Sequence, residues 1–520
     1  VLPPILTDPL TDDVLTALRA RLAEVGYTVD GITEQLGERA YAALQRNETT
    51  PGLLAGPGGA AGTLAQLWLM QRPVSHTDAG EALGTLLAPL IEAGIVADEG
   101  DRVRALVDLR PYAASEGEDT RDLWVLSDLT PGLDGIATTV AADHVLGISP
   151  ASTSLVHQAV RTPVGAALDL GTGCGVQALH LAAHAQRVVA TDVTARSLAL
   201  AGLTARLNAV EVDLRDGGFF APVAGERFDL VLTNPPFVIS PPTDAADLLI
   251  YRDSGMPGDG AVERIVREVS AYLNPGGWCQ VLANWELPSD RAWEERIASW
   301  IEDTGLSAWV VQREVLDPAQ YVELWLKDSG HHPSTGGDVA DYERRYAAWL
   351  AWLDQRGVAG VGFGWINLRR PAGGEPVVRR IEQWHHDVEQ PIGPEVEAWH
   401  GRATWLAATT DADLRAAHLV RREDVVQETH GAPGAGDPST IVLRQQRAMR
   451  RARTVDTVLT GLVGACDGEL SVDQVLAALA HLLERDVEGV LAAYLPQVRE
   501  LVEEGYLEPS GGDLHGEALP

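Results

Sequence analysis

The stretch ALDLGTGCGVQ, residues 167–177, decides the fold together with ATD at 190–192. AALDLG (166–171) reads as a short apolar strand that carries Asp169 near its end. Gly171, Gly173 and Gly175 form the turn into a helix, VQALHLAAHA (176–185). Glycine suits that turn because the backbone must bend sharply and approach a ligand closely. The helix start offers free N–H groups. RVVATD (187–192) is the next strand, and it places Asp192 seventeen residues after Gly175. A carboxylate there can accept from both hydroxyls of a ribose.

The same alternation continues outward. ARSLALAGLTARLNA (195–209) is a helix, FDLVLTN (228–234) a strand, AVERIVREVSAYL (261–273) a helix and GGWCQVLANW (276–285) a strand. AWEERIASWIEDTG is a further helix, and LSAWVVQREV and VAGVGFGWINLRR close the sheet around an insertion at 318–357. This is an α/β pattern, a Rossmann-like and mostly parallel doubly wound sheet of seven strands. The insertion, with HHPSTGGD at its tip, is expected to be a surface elaboration. The glycine loop reads G-T-G-C-G, not the G-x-G-x-x-G of dinucleotide folds. That spacing favours S-adenosylmethionine (SAM) over NAD as the ligand.

FDLVLTNPPF puts Asn234, Pro235, Pro236 and Phe237 directly after a strand, at the sheet edge where open α/β folds bind ligands. Two prolines fix φ and remove two N–H donors, which frees nearby carbonyls to face a site. The Asn carboxamide oxygen and one such carbonyl can both accept from a planar NH2 group. Phe237 offers a flat wall for a base or an amide.

On these motifs, residues 146–290 or so resemble the class I SAM-dependent methyltransferases that carry N-P-P-[F/Y] and methylate planar NH2 nitrogens, the RNA guanine-N2 and protein-glutamine N5 relatives among them. The resemblance implies that Asp169 and the loop Gly171, Thr172, Gly173, Cys174 and Gly175 hold the methionine part of SAM. It implies that Asp192, with Val193 beside it, holds the ribose, and that Asn234 to Phe237 bind the target nitrogen. An acid beside the adenine amino group would be Asp216 or Asp213. DHVLGISPASTSLV (143–156) stands where relatives have a loop over the cofactor, so Gly147, Ser149 and Ser152 could contact SAM or substrate; equally, either serine could cap a helix. YRDSGMPGDG (251–260) resembles the G-G-x-D-G-type loop of glutamine methyltransferases, or is simply a helix-entry turn.

The flanks read as helical modules. Residues 1–142 begin with helices over 10–48, pass a Pro/Gly hinge at 51–62, and then look like a winged helix with strands near 105–109 and 123–126. Residues 391–520 hold a linker at 428–440 and a second winged-helix-like segment, leaving 143–390 as the methyltransferase domain. VLRQQRAMRRAR (442–453) carries Arg444, Arg447, Arg450, Arg451 and Arg453 without an acid. The spacing predicts Arg444, Arg447 and Arg451 on one helix face, able to meet phosphates or merely to be solvated. Arg369, Arg370, Arg379 and Arg380 are a second local excess.

Composition bounds the rest. The chain has 520 residues and a net charge of −34, with lysine only at Lys327. By region the net charge is −13 over 1–150, −10 over 151–330 and −11 over 331–520, so no face is singled out. That acidity argues against broad nucleic-acid wrapping and leaves localised arginines as the only route to RNA. Cys174, Cys279 and Cys466 are too few for a disulfide framework and fit a reducing, cytoplasmic setting. Cys174 reads as a space-filler, since N-methylation needs no covalent intermediate. His180 and His184 lack the acids of a metal helix motif, and His385 and His386 read as surface residues, so no metal is expected. The opening VLPPILTDPLTDD suggests no leader, and no long apolar run suggests a membrane span. The preferred substrate on sequence is an exocyclic base amino group in ribosomal RNA, with RNA or a ribosomal particle as partner. A glutamine amide of a translation factor or ribosomal protein is the alternative. A small molecule and a non-catalytic scaffold are further readings.

Overall fold

A computed structural model of the chain describes residues 10–116, 119–133, 140–241, 249–252, 255–433 and 438–511. Residues 253–254 of the 251–260 loop and 434–437 of the expected linker lie outside them.

The central sheet has eight strands: β1 (Val164–Leu170), β2 (Ala185–Asp192), β3 (Asp213–Asp216), β4 (Phe228–Thr233), β5 (Leu273–Pro288), β6 (Ser307–Leu316), β7 (Val358–Arg369) and β8 (Arg379–Gln383). Their order is β3-β2-β1-β4-β5-β7-β6-β8. The order reverses at β1/β4, and β1 is parallel to both β2 and β4, as is each of the pairs β2–β3, β4–β5 and β6–β8. This is the doubly wound arrangement expected, extended by β8 at one edge. The switch point between β1 and β4 puts the glycine loop and the N-P-P-F turn at neighbouring carboxyl ends, where such sheets bind ligands. Leu168, Val189, Val231 and Leu232 are fully buried in the sheet centre, as two-sided cover requires.

Helices α1 (Pro150–Gln158), α2 (Val176–Leu181), α3 (Ala195–Leu207), α4 (Gly260–Glu268) and α5 (Trp293–Ile301) connect these strands. The insertion forms α6 (Pro318–Asp328) and α7 (Val339–Gln355). It is more than the expected surface elaboration. Tyr321, Val322, Trp349 and Leu353 are buried against Val238 and Ile239, just after the N-P-P-F turn. The Tyr321 hydroxyl accepts from the Ile239 N–H at 2.8 Å, and the Trp349 indole donates to the Ile239 carbonyl at 3.0 Å. Both backbone groups of Ile239 are thus satisfied by insertion side chains, which fixes the chain leaving the turn.

Contacts divide the chain into two compact units. The first comprises Val1–Val156, Thr162–Thr304 and Glu314–Trp365; the second comprises His157–Arg161, Gly305–Arg313 and Ile366–Pro520.

Within the first unit, residues 51–62 are not a hinge. They fall into two short helices, Thr50–Ala55 and Gly59–Leu64. Pro51 sits in the first turn, where a missing N–H costs nothing, and Gly56 ends the helix in the left-handed region. The strand expected near 123–126 falls within Asp119–Ser127, whereas the piece at 105–109 divides between two strands. A small sheet forms from 74–75, 102–105 and 96–98, while Asp108–Glu116 and Asp119–Ser127 make a separate hairpin. That hairpin lies along α3. Asn208 exchanges hydrogen bonds with the Trp124 backbone at 2.9 and 2.7 Å, and Leu126 N–H donates to the Thr204 hydroxyl at 3.0 Å. Tyr112 and His180 are hydrogen-bonded at 2.9 Å, which accounts for one of the two paired histidines.

In the second unit, His418–Arg421, Asp467–Ser471 and Leu507–Pro509 form one small sheet, packed by helices Thr457–Ala465, Val472–Leu482 and Val487–Glu503. A second sheet joins Val425–His430, Thr440–Gln445 and Ala452–Val455, so the expected linker at 428–440 connects two strands of a hairpin. The arginine-rich stretch is therefore not a helix. Arg444 is in a strand, Arg447 and Arg450 are exposed in the following turn, and Arg451 is buried. β-branched Ile441 and Val442 pair with Thr429 and Glu428, and strand pairing outweighs the helical spacing of the arginines. No helix among the described residues is long and apolar enough to cross a membrane.

Candidate active site

The glycine loop is built by backbone conformation. Gly171, Gly173 and Gly175 all have φ between 53° and 86°, the left-handed region that side chains disfavour. The three then divide. A Cβ at Gly171 or Gly173 would meet nothing within 4 Å, whereas one at Gly175 would lie 3.2 Å from the Ala201 Cα of α3. The first two glycines leave open space above the loop, and the third lets α3 pack closely. Thr191 carbonyl accepts from the N–H groups of Gly171 and Thr172 at 3.0 and 2.9 Å, tying the loop to β2.

Two carboxylates organise this loop. Asp169 Oδ2 accepts from the Thr172 hydroxyl at 2.6 Å and the Ala178 N–H at 3.1 Å, while Oδ1 is buried without a partner. Burial pushes the Asp169 carboxyl up from 3.8 to about 7, against the pull of those two hydrogen bonds. Asp192 Oδ2 accepts from the Gly173 N–H at 3.0 Å, and its Oδ1 accepts from the Thr194 N–H at 3.1 Å.

One cavity of about 260 Å³ gathers most of the expected residues. Its walls include Gly171, Thr172, Gly173, Cys174, Asp192, Val193, Asn234, Pro235 and Pro236, and also Gly147, Ser149 and Ser152 from the upstream segment. Ser149 and Ser152 cap each other's backbone: Ser149 N–H donates to Ser152 Oγ at 2.8 Å, and Ser152 N–H to Ser149 Oγ at 3.2 Å. The expected helix entry is therefore present, and both serines also line the cavity. Cys174 is buried, and burial raises its thiol to about 11, so it packs as a neutral group.

Other expected residues are placed elsewhere. Asp216 is exposed at the end of β3, and Asp213 is paired with Arg215 at 2.7 Å; neither lines the cavity. Gly175 and Asp169 support it from beneath. Phe237 is not in the cavity wall either, and its ring packs at 70° to that of Trp325 on α6, with centroids 6.2 Å apart. In the 251–260 loop, Asp259 is buried and anchored by Arg296 at 2.5 Å and by the Glu286 N–H at 2.9 Å. It holds the start of α4 to β5.

The wall residues Ser197, Gly217, Gly218 and Phe219 lie outside every segment singled out in sequence as a site, while His144, Gln177 and Tyr251 belong to the 143–156, 167–177 and 251–260 segments without having been picked out there. The double glycine after β3 was the available signal for 217–219, because it sits at the carboxyl end of a strand next to Asp192. Phe219 has a left-handed φ of 49° and is covered by the Arg264 guanidinium at 4.2 Å.

The polar chemistry of the cavity fits a ligand with both donors and acceptors. Asn234 Oδ1, Gln177 Oε1 and His144 Nε2 are buried without partners, and all three residues line it. Buried polar atoms normally have partners, and these three atoms without one belong to residues that line a single cavity. Among the described residues no His, Cys, Asp or Glu group could hold a metal.

The arginines of the second unit are largely neutralised. Arg444 pairs with Glu428 at 2.7 Å, Arg451 with Glu382 at 2.6 Å, and Arg453 with Glu500 and Glu504. Arg369 pairs with Glu375 at 2.5 Å and Arg380 with Glu382 at 2.9 Å. Arg447 and Arg450 remain exposed.

Fold order, glycine loop and N-P-P-F turn together define a class I, SAM-dependent methyltransferase domain. Comparison with known proteins agrees: residues 146–301 match the family model of the methyltransferase small domain. Residues 24–106 and 397–509 match two domains of unknown function, DUF7059 and DUF7782. The chain is 34% identical over 139 residues to a release factor glutamine methyltransferase of Geobacter sulfurreducens, covering 24% of this chain and 49% of that protein. It is 33% identical over 176 residues to a ribosomal protein uL3 glutamine methyltransferase of Bradyrhizobium diazoefficiens, covering 31% and 52%. It is 30% identical over 139 residues to ribosomal RNA small subunit methyltransferase C of Alcanivorax borkumensis, covering 27% and 36%. The chain thus spans about half or less of the length of the curated relatives it matches.

Proposed function

We propose that the chain is a SAM-dependent N-methyltransferase whose acceptor is the side-chain amide of a glutamine in a protein. The observation that carries the reaction type is the Asn234 carboxamide, whose buried Oδ1 lacks a partner at the carboxyl end of β4. SAM supplies an electrophilic methyl on a sulfonium. The chain supplies the rest. Asn234 Oδ1 and a carbonyl of the proline turn accept from the two N–H bonds of the target. That orients the nitrogen lone pair and stabilises the positive charge that grows on it. The new C–N bond forms as the C–S bond breaks, and the nitrogen gives up one proton to solvent.

Two observations favour an amide over a base. Phe237 packs against Trp325 and is not among the residues that line the cavity. The arginines proposed for phosphates are mostly paired with acids. The second reading, an exocyclic amino group in RNA, draws on the RNA-methylating relative and on exposed Arg447 and Arg450. The domain partition we propose is 1–142, 143–390 and 391–520.

The cofactor assignment follows the cavity: Gly171 to Cys174 in the wall, with Gly175 and Asp169 beneath them, at the methionine end, Asp192 at the ribose, Val193 and Gly217 to Phe219 near the adenine, and the 147–152 segment over the top. A tritiated-methyl SAM assay on total protein, ribosomal proteins included, and on purified RNA tests the substrate. Label in an enzymatic protein digest as N5-methylglutamine is the expected result, and label confined to RNA selects the second reading.

Asp169 gives a pH signature. Its pKa of about 7 lies above the ordinary 3.8. The stability that this shift contributes is present below about pH 4 and is lost as pH rises through about 7. A bound ammonium favours the carboxylate. Binding of S-adenosylhomocysteine at pH 6.5 is therefore expected to release protons, so that the calorimetric enthalpy varies with the ionisation enthalpy of the buffer. The dependence should vanish in Asp169→Asn. A wild-type enthalpy independent of buffer contradicts the assignment.

A further inference from the structure

We infer that Asp128, at the end of the N-terminal hairpin, is a positioning residue that fixes both walls of the cofactor cavity at once. This rests on the cofactor site described above and deepens it. Asp128 lies outside the three matched family regions.

The upstream wall, from His144 to Ser152, has little regular structure before α1 begins at Pro150. The hairpin holds it. Asp128 N–H donates to the Val145 carbonyl at 3.0 Å, and Val145 N–H donates to Asp128 Oδ2 at 2.8 Å. The His144 ring nitrogen Nδ1 is 3.8 Å from the same carboxylate. Next to it, Gly147 is so close to Ser127 that a Cβ would lie 2.8 Å from the serine hydroxyl.

The same carboxylate grips the opposite wall. Arg196, in the first turn of α3, donates from Nε to Asp128 Oδ2 at 2.8 Å and Oδ1 at 3.0 Å, and from Nη2 to Oδ1. Both side chains are almost fully buried. Arg196 follows Asp192, Val193 and Thr194 in the chain, and these three and Ser197 line the cavity. One carboxylate therefore joins the segment over the cofactor to the helix start beside the ribose acid. A buried ion pair contributes little net stability but holds geometry, and removing one partner strands the other charge. Exclusion of solvent strengthens this coupling. The N-terminal hairpin becomes part of the cofactor site without touching its contents.

The test is S-adenosylhomocysteine affinity by calorimetry in the full chain for Asp128→Asn, with Asp128→Glu as the conservative variant. Asp128→Asn keeps an acceptor for Val145 but cannot neutralise Arg196. Its affinity is expected to fall roughly tenfold to a hundredfold, the cost of a wall displaced by about 1 Å. Asp128→Glu should recover part of it. In transfer assays KM for SAM should rise far more than kcat falls, whereas a purely structural defect would lower the active fraction and leave affinity unchanged. If Asp128→Asn does not fold, Asp128→Asn with Arg196→Gln removes the stranded charge and is measured in the same way. Wild-type affinity in the folded variant overturns the inference and leaves the cofactor site standing. Failure of the wild-type chain to bind S-adenosylhomocysteine overturns the cofactor reading itself.

Discussion

Asn234→Ala is expected to bind S-adenosylhomocysteine as the wild type does and to lose methyl transfer by about 100- to 1,000-fold, the range seen when one transition-state hydrogen-bonding group is removed. The two effects separate because of where Asn234 sits. It follows β4, across the switch point from the glycine loop on β1, and its Oδ1 makes no bond within the protein. Alanine thus breaks no internal hydrogen bond of Oδ1, so folding and the cofactor side of the cavity stay intact. What disappears is an acceptor for the target N–H. In the ground state the substrate loses one ordinary hydrogen bond. In the transition state, positive charge on nitrogen makes the lost bond worth more, so kcat should carry most of the change. Steady-state kinetics with the tritiated donor and varied acceptor read this directly. A kcat within threefold of wild type contradicts the role given to Asn234.

Asp192→Ala should produce the opposite pattern, a fall in cofactor affinity of about 100-fold, or roughly 2.7 kcal/mol. Two losses combine. The carboxylate accepts from Gly173 and Thr194, so its removal frees the middle of the glycine loop and the entry to α3. Under the cofactor assignment proposed above it also removes the acceptor for the ribose hydroxyls, and hydrogen bonds to charged groups contribute about 1.5–3 kcal/mol each. Asp192→Asn keeps one acceptor oxygen and should lose less. Calorimetry on both variants, with a thermal melt to confirm folding, decides. Equal affinity for wild type and Asp192→Ala would remove Asp192 from the site.

The core of the fold was legible because its signals are local. Gly171, Gly173 and Gly175 needed left-handed backbone, Asp192 needed only a fixed distance from them, and Asn234 followed an apolar strand. What was not legible depends on contacts distant in the chain. The insertion read as a surface feature because Tyr321 and Trp349 reveal their purpose only when paired with Ile239. Arg444 to Arg453 read as a helix face because arginine spacing carries no information about strand partners such as Glu428. Asp128 was silent, since a lone aspartate after an apolar strand says nothing of Arg196 until the two are brought together. Phe237 shows the limit of a motif. Its identity was read, but its orientation toward Trp325 was set by the insertion.

The charge of −34 takes on a more definite meaning. The acids are not idle surface: Glu382, Glu428, Glu500 and Glu504 pair with Arg380, Arg444 and Arg453, while Arg447 and Arg450 stay exposed. Under the function proposed above, that pairing weighs for a protein acceptor over a phosphate backbone.

The central claim is that the cavity between Gly147, Asp192 and Asn234 holds the methyl donor. Isothermal calorimetry of S-adenosylhomocysteine with the full chain tests it most directly, with Asp192→Ala alongside. The account predicts one molecule bound per chain, with the heat lost in the variant at the same concentrations. No binding by the wild-type chain, or undiminished binding by Asp192→Ala, would contradict it.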